Sequence, residues 1–257
     1  MEQTVVRIRT LEIGSGMPKI CVPVIGKTEK EILEGAERAK AAQPDLVEFR
    51  VDWYEAVADN QKVVALLEKI RKYLGELPLL FTFRSSREGG EAALSGGAYQ
   101  SLNEAAIASG FVDCVDVELF SGDAVVKAVV AAAHSKNVKV IASNHDFEKT
   151  PAAEELLARL QKMEALGADI PKIAVMPQSS KDVLTLLTVT ESWKETEKTP
   201  VITMSMAGEG LISRLCGEIF GSAVTFGAAG KSSAPGQIDA EELRQILEII
   251  HQNSNRQ

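Results

Sequence analysis

The chain has 257 residues, of which 45% are apolar, and a formal net charge of −8 at pH 7. A chain of this size can bury one large core without disulfides or metals. The acidic balance makes nucleic acid and anionic membranes poor partners, whereas a small anionic substrate is compatible with locally concentrated basic residues.

The cysteine pattern and the N-terminus indicate a cytoplasmic protein. Cys21, Cys114 and Cys216 are odd in number, far apart and flanked by apolar residues, which is typical of reduced core thiols. No pair of residues has metal-ligand spacing, so we expect no structural metal. Residues 1–16 lack the apolar segment of a signal peptide, and no apolar run approaches the roughly 18 residues of a membrane span.

From residue 19 onward, short β-branched segments alternate with segments of helical period. Strands are predicted over 19–26, 46–52, 78–84, 112–119, 139–146, 172–177, 200–206 and 223–228. Helices are predicted over 28–42, 61–73, 98–109, 123–135, 151–166, 180–194, 211–220 and 239–251. The helix over 151–166 is expected to start at Thr150-Pro151, with Glu154 in its first turn.

This alternation predicts an α/β fold, a closed (β/α)8 TIM barrel formed by a single catalytic domain over 1–257. Strands that are each followed by a helix pair in parallel through right-handed crossovers. An open doubly wound sheet fits less well, since no GxGxxG follows the first strand. Residues 5–13, followed by Gly-Ser-Gly, predict a β-hairpin that closes the bottom of the barrel, its N-terminal end.

Several predicted strands carry charged residues on one face only. In LVEFRVD, Glu48 and Arg50 alternate with apolar residues, and in CVDVELF Asp116 and Glu118 do the same. A solvated strand face is the alternative, but a closed parallel barrel has no wet face other than its interior mouth. The charged face is therefore predicted to form a site inside the barrel, where strand C-termini build active sites.

Lys172, in DIPKIAVM, is predicted at the start of one of these strands. Lysine amines form imines with carbonyl substrates. Lys19, in MPKICV, has the same local pattern, and either lysine can instead reach back to solvent from a strand end. Spacing alone leaves both interpretations open.

Other candidates lie at strand ends. His145 ends a strand in Ser-Asn-His-Asp, where a side chain that titrates near neutrality suits general acid–base work, and a structural histidine is the alternative. Glu88 can orient an imidazole, act as an acid itself or be a solvated loop residue, and Arg214 can be an ordinary helix arginine. The small-residue loop over 227–237 suits a mobile lid, a phosphate cradle or a plain flexible loop.

Five ordered motifs, FTFRSSREGGE, SNHDFEKTP, DIPKIAVMP, MSMAGEGLISR and SAPGQI, resemble the type I 3-dehydroquinate dehydratase family. The resemblance implies a (β/α)8-barrel lyase of the shikimate pathway that needs no metal or cofactor, forms homodimers and acts on the small anion 3-dehydroquinate. It makes Lys172 the imine-forming lysine, His145 the general acid/base and Glu88 the carboxylate that orients His145. The implied substrate-binding positions are Glu48, Arg50, Arg84, Met206, Arg214, Phe226, Ser233 and Gln237. Pro23 departs from the pattern, because some members of the family have a serine there, and this puts one minor substrate contact in doubt.

Two other functions stay open on the sequence. A class I aldolase of the same architecture would form its imine at Lys172 and bind a substrate phosphate at the loop over 227–236. A non-catalytic sensor of small acids would use the same cationic pocket, although it has no need of a lysine–histidine pair.

Overall fold

The computed structural model describes residues 4–196, 199–230 and 236–254. Its strands are β1 (Val6–Ile8), β2 (Leu11–Ile13), β3 (Lys19–Val24), β4 (Leu46–Arg50), β5 (Leu79–Thr82), β6 (Cys114–Glu118), β7 (Lys139–Asp146), β8 (Ile170–Val175), β9 (Ile202–Ser205) and β10 (Val224–Phe226). Strands β3 to β10 form a parallel sheet in the order β10-β3-β4-β5-β6-β7-β8-β9. A parallel bridge between Val201 and Ser222 joins the two ends of this sheet, which confirms the predicted (β/α)8 barrel.

The helices surround the sheet. They are α1 (Glu29–Ala41), α2 (Asn60–Leu74), α3 (Gly96–Ala108), α4 (Asp123–Ser135), α5 (Ala153–Ala165), α6 (Ser180–Thr196), α7 (Leu211–Leu215), α8 (Gly217–Phe220) and α9 (Ala240–Ser254). Side chains fix several starts: Thr28 accepts from Glu31 N at the beginning of α1, and Asp59 accepts from two amides at the beginning of α2. None of the helices in the described ranges is long and apolar enough to cross a membrane.

Most predicted elements exist with shifted ends, and three details differ. Helix α5 begins at Ala153 with no side-chain cap, so the predicted start at Thr150-Pro151 is wrong. Thr150 instead donates its hydroxyl to the Met176 carbonyl (3.1 Å), which ties the loop before α5 to the end of β8. The helix predicted over 211–220 is interrupted at Cys216, and β8 begins at Ile170, so Lys172 lies inside its strand.

The N-terminal half of the barrel interior is apolar. Inward side chains at the strand starts pack in one buried cluster, namely Cys21, Leu46, Leu80, Cys114, Ile141, Ile170, Ile202 and Val224. Val6, Ile8 and Ile13 of the antiparallel β1–β2 hairpin belong to the same cluster. The hairpin therefore closes the bottom of the barrel, as predicted.

The outer faces of the strands pack against the helices. Phe49 and Phe81 are fully buried there and meet edge to face, with ring centroids 6.2 Å apart. Because strand side chains alternate, their neighbours Glu48, Arg50 and Thr82 point into the barrel. Burial of these polar groups confirms that the charged face lines the interior.

Candidate active site

A cavity opens at the C-terminal ends of the barrel strands. Its lining is Glu48, Arg50, Arg84, Glu88, Gly89, His145, Phe147, Lys172, Ala174, Met204, Met206, Arg214, Phe226 and Gln237. The structure thus brings together every predicted site residue except Ser233, which lies outside the described residues. Lys19 is elsewhere: it is the first residue of β3, and its ammonium donates to the Ser15 carbonyl at 3.0 Å.

Lys172 reaches the cavity from the middle of β8 and is 3% exposed. Its Nζ lies 4.5 Å from the centroid of the Phe226 ring and 3.6 Å from Oδ2 of Asp116. The ring and the carboxylate hold the amine between the last strand, β10, and the strand β6. Lys172 is the one amine of the described cavity lining, and carbonyl chemistry there would centre on it.

Arg84 organises the buried charges below the cavity. Its guanidinium contacts Asp116 (2.8 Å), Glu118 (3.1 Å) and the hydroxyl of Ser143 (2.9 Å). Burial opposes the charge of Arg84, but the surrounding carboxylates raise its pKa overall. Asp116 also accepts from the Ser143 hydroxyl at 2.6 Å. Buried charges are costly unless they are paired. Each charge of this network has an ionic partner; Oδ2 of Asp116 has no hydrogen-bond partner within the described residues and faces Nζ of Lys172 at 3.6 Å.

Glu88 and His145 form the second reactive unit. Oε2 of Glu88 lies 3.0 Å from Nδ1 of His145 and 2.9 Å from the backbone N of the same residue. With Nδ1 donating to the carboxylate, Nε2 is the acceptor nitrogen, which is the arrangement of an oriented general base. Glu88 comes from a short 3-10 turn after β5, and His145 lies near the end of β7.

The surroundings shift the titration of this pair. Burial, together with the nearby cations Arg84, Lys172 and Arg50, holds the pKa of His145 well below its usual value of 6.5. Burial raises the pKa of Glu88 to about 7, against the opposing effect of Arg84. His145 is thus kept neutral at physiological pH, as a base must be.

Two further arginines give the cavity its positive charge. Arg50 forms a two-point ion pair with Asp52 (2.8 and 2.9 Å) at the end of β4. Arg214 lies on α7, where burial lowers its pKa to about 10, so it stays protonated near neutral pH. Glu48 accepts from Thr82 at 2.9 Å and presents an acceptor to the same space.

Some residues near the site carried no clear sequence signal. Phe147 lines the cavity just after β7, and its ring would lie 2.3 Å from a Cβ placed on Gly89. Asn144 contacts Glu88 from outside the barrel, and Arg159 contacts Asn144. A residue on the outer strand face and one on a helix show no periodicity that points to a site. Within the described ranges no three His, Cys, Asp or Glu side chains are grouped so as to hold a metal ion.

A closed parallel barrel with a buried lysine, a histidine–carboxylate pair and a cationic mouth is a barrel enzyme for a small polar substrate. The model of the type I 3-dehydroquinase family matches residues 20–254. The chain belongs to this family, which confirms the predicted family and enzyme class.

Individual relatives agree along nearly the whole chain. The 3-dehydroquinate dehydratase of Listeria innocua is 57% identical over 244 residues, which cover 95% of this chain and 97% of the relative. The crystal structure of the type I enzyme from Clostridium difficile, with covalently modified comenic acid, superposes with a TM-score of 0.95 at 53% identity and covers 98% and 99% of the two chains. The enzyme from Geobacillus kaustophilus superposes with a TM-score of 0.96 at 42% identity over 99% of both chains.

Proposed function

We propose that this chain dehydrates 3-dehydroquinate to 3-dehydroshikimate through a Schiff base on Lys172, with His145 as the general acid/base. The observation that carries the proposal is that one cavity holds a buried lysine amine and a neutral, carboxylate-oriented imidazole on neighbouring strands. Family membership supports the substrate, and the shikimate pathway is the setting that the proposal implies.

Imine formation starts the reaction. Nζ of Lys172 adds to the C3 ketone, His145 moves protons to and from the carbinolamine, and water leaves to give the iminium. The iminium withdraws electrons and acidifies the adjacent C2–H far more than a neutral ketone does. Asp116, 3.6 Å from Nζ, supplies negative charge beside the developing cation. Burial would raise the pKa of Asp116, but Arg84 and Lys172 lower it overall, so this charge persists.

Elimination follows on the same face of the cavity. Nε2 of His145 removes the C2 proton, the electrons pass into the enamine, and the enamine expels the C1 hydroxyl, which takes a proton from His145 and departs as water. Hydrolysis of the new iminium releases 3-dehydroshikimate and restores the Lys172 amine. Glu88 keeps the imidazole in the tautomer and orientation that these transfers require.

Substrate binding is assigned to the polar lining of the cavity. Arg214 pairs with the substrate carboxylate through its two parallel N–H donors, and Arg50 adds positive charge at the mouth. Glu48 and Gln237 accept or donate to substrate hydroxyls, while Met206 and Phe226 form the apolar wall. Arg84 acts mainly by holding the buried carboxylates, and Ser233 is proposed to contact the substrate from the loop over 232–237.

The proposal extends to the state of the protein. We assign it to the cytoplasm, in keeping with its buried free thiols, and expect a homodimer. Four large apolar side chains are exposed on consecutive helices α6 to α9, namely Leu184, Ile212, Ile219 and Ile249. Exposed apolar side chains favour association with a second copy, and light scattering after size exclusion measures the oligomeric state.

Borohydride trapping tests the covalent step. Wild-type protein incubated with 3-dehydroquinate and borohydride is expected to gain the mass of a reduced substrate adduct on the peptide that contains Lys172. The Lys172→Met variant is expected to gain none, and Lys19→Met serves as the matched control that still traps. An unmodified wild-type protein under turnover conditions would contradict the imine.

The two other functions predict different results. An aldolase would bind inorganic phosphate and cleave a phosphorylated substrate, and a sensor would bind 3-dehydroquinate without consuming it. Absorbance of the conjugated product separates both from the dehydratase. Activity should also survive EDTA, because the electron sink is the iminium; strong inhibition would contradict this mechanism.

A further inference from the structure

Polar contacts continue from Glu88 away from the cavity. Asn144 precedes His145 on β7, so its side chain leaves the opposite face of the strand, toward the helices. It is nevertheless 2% exposed, and its Nδ2 donates to Oε1 of Glu88 at 3.3 Å. Glu88 is therefore held at both oxygens, with His145 on Oε2 and Asn144 on Oε1.

Arg159 on α5 completes this line of contacts. Its guanidinium donates to Oδ1 of Asn144 at 2.6 Å, lies 5.4 Å from the ring centroid of Phe120 and pairs with Glu155 one turn earlier. An amide has one acceptor and one donor end, so a cation on one side and a carboxylate on the other define its orientation. Asparagine suits position 144 because its neutral amide links the Arg159 guanidinium to the Glu88 carboxylate without adding a third charge.

We propose that Arg159 and Asn144 are positioning residues for the dehydration: Arg159 orients the Asn144 amide, which fixes Glu88 and through it the reactive tautomer of His145. This inference rests on the proposed function, since it assigns residues to the control of the same base. Neither residue lines the substrate cavity, so their effect falls on the proton transfers and not on substrate binding.

The charges around Glu88 determine how the effect appears in a pH profile. Glu88 faces Arg84 after β5, Asp116 and Glu118 of β6 and His145 of β7, while Lys172 and Arg50 act on His145. Of these, the carboxylates favour protonation of Glu88, and Arg84 and the Asn144 hydrogen bond oppose it. Loss of the Asn144 bond therefore raises the pKa of Glu88. A protonated Glu88 donates to Nδ1 and leaves Nε2 carrying the proton, which removes the base.

A second cavity makes the arrangement accessible to a chemical probe. The lining of this cavity is Arg87, Glu88, Glu118, Phe120, Asn144, His145, Asp146, Phe147, Glu148 and Arg159. Truncation of Arg159 leaves a space beside Asn144 that is open to solvent. A guanidinium ion from solution can occupy this space and restore the missing donor.

The test compares Arg159→Ala with Lys162→Ala. Lys162 lies on the same helix, carries the same charge and pairs with Asp123 at 2.7 Å on the surface, without contact to Asn144. Arg159→Ala is expected to lower kcat about tenfold, because one hydrogen bond from a charged group contributes about this much. Its KM is expected to stay within about twofold of the wild-type value. The acid limb of its kcat profile is expected to move to higher pH. Millimolar guanidinium chloride should restore most of kcat, and sodium chloride of equal ionic strength should not.

Asn144→Asp is the second variant, because it keeps the size of the side chain and places a carboxylate against Glu88. It is expected to move the acid limb further upward while circular dichroism stays native. A kcat for Arg159→Ala equal to that of Lys162→Ala, or a loss without a profile shift and without guanidinium rescue, would overturn the positioning role. Trapping of substrate on Lys172 in the wild type is measured in parallel. If the wild type neither traps nor dehydrates, the proposed function fails, independently of Arg159.

Discussion

Oε2 of Glu88 meets both Nδ1 and the backbone N of His145, at 3.0 and 2.9 Å. One carboxylate oxygen thus holds both the backbone N–H and the imidazole ring of His145. Rotation of the ring away from the carboxylate breaks one of these contacts and leaves a buried polar atom without its partner. While Glu88 is ionised, this geometry holds His145 in the tautomer in which Nε2 is the base.

His145→Ala should separate imine formation from proton transfer. The variant keeps Lys172 and its neighbours, so borohydride should still trap the substrate, more slowly than in the wild type. Dehydration should fall by several orders of magnitude, because removal of a general base and acid removes roughly 10²–10⁴ at each proton transfer. His134→Ala is the control, since His134 lies on α4 beside Asp169, which precedes β8 at the end of the barrel opposite the cavity. Near-normal turnover of His145→Ala would remove His145 from its role.

Glu88→Gln should change the pH profile of kcat/KM. In the wild type, Glu88 has a pKa raised to about 7 and gains a proton as the pH falls through that value. Activity is then expected to decline on the acid side near pH 7, with an apparent value that belongs to the Glu88–His145 pair. The glutamine cannot titrate, so the variant should have lower kcat at neutral pH and no acid limb in this range. If the acid limb of Glu88→Gln stays at the wild-type pH, the limb reports the titration of a group other than Glu88.

Asp116→Asn should lower both stability and activity. The change removes the charge that faces Arg84 and Lys172, and loss of one partner of a buried ion pair costs about 3 kcal/mol. The pKa of Asp116 is lowered in the folded protein, so its charge stabilises the fold above the unfolded value near 3.8 and ceases to do so as the pH falls through the lowered value. Urea titrations should therefore show a smaller difference from wild type at strongly acidic pH. Asp123→Asn, at an exposed pair, should cost under about 1 kcal/mol.

Gly90→Ala should damage the site through the backbone. A Cβ at this position would lie 1.9 Å from the carbonyl oxygen of Arg84, so the turn that carries Glu88 must shift. We expect kcat to fall at least tenfold, since a displacement of about 1 Å in a catalytic group costs about 10²-fold. Gly97→Ala is the matched control: it lies in α3 with no atom within 4 Å of the added carbon, and it should keep full activity. Equal activity of the two variants would contradict the account.

Ile13→Ala should reduce stability without changing the chemistry. Ile13 is fully buried where the hairpin closes the bottom of the barrel, and truncation of such a side chain costs about 2–5 kcal/mol. The variant should unfold at a lower temperature than the wild type, whereas kcat and KM of the folded protein should match the wild type. Val5→Ala, at a more exposed position of the same segment, serves as the control. A changed KM would mean that the apolar floor influences the substrate cavity.

The barrel could be predicted from the sequence because apolar residues recur at the strand period and at the helix period. Both patterns are needed to bury one face of each element. The sequence predicted the inward face for the same reason, since Glu48, Arg50 and Asp116 interrupt strands that are otherwise apolar. Spacing does not distinguish Lys172 from Lys19, whereas the family resemblance does. The structure adds the physical difference: Lys172 lies beside Asp116 inside the barrel, and Lys19 donates to the Ser15 carbonyl. Thr150 was wrongly assigned as a helix start, because its hydroxyl is taken by a tertiary partner, the Met176 carbonyl. Asn144 and Arg159 were missed since their importance comes from a contact between elements, which no local pattern records.

The partners of Arg84 come from separate strands: Asp116 and Glu118 from β6 and Ser143 from β7, and Asp116 in turn meets Lys172 of β8. In a chain that has assembled only its first strands, these charges have no counterparts and must stay hydrated. Water can leave the interior only when the later strands dock and neutralise them. The buried ion network therefore couples catalytic competence to the completion of folding, so that partly assembled chains are inactive and only the finished barrel presents a working site.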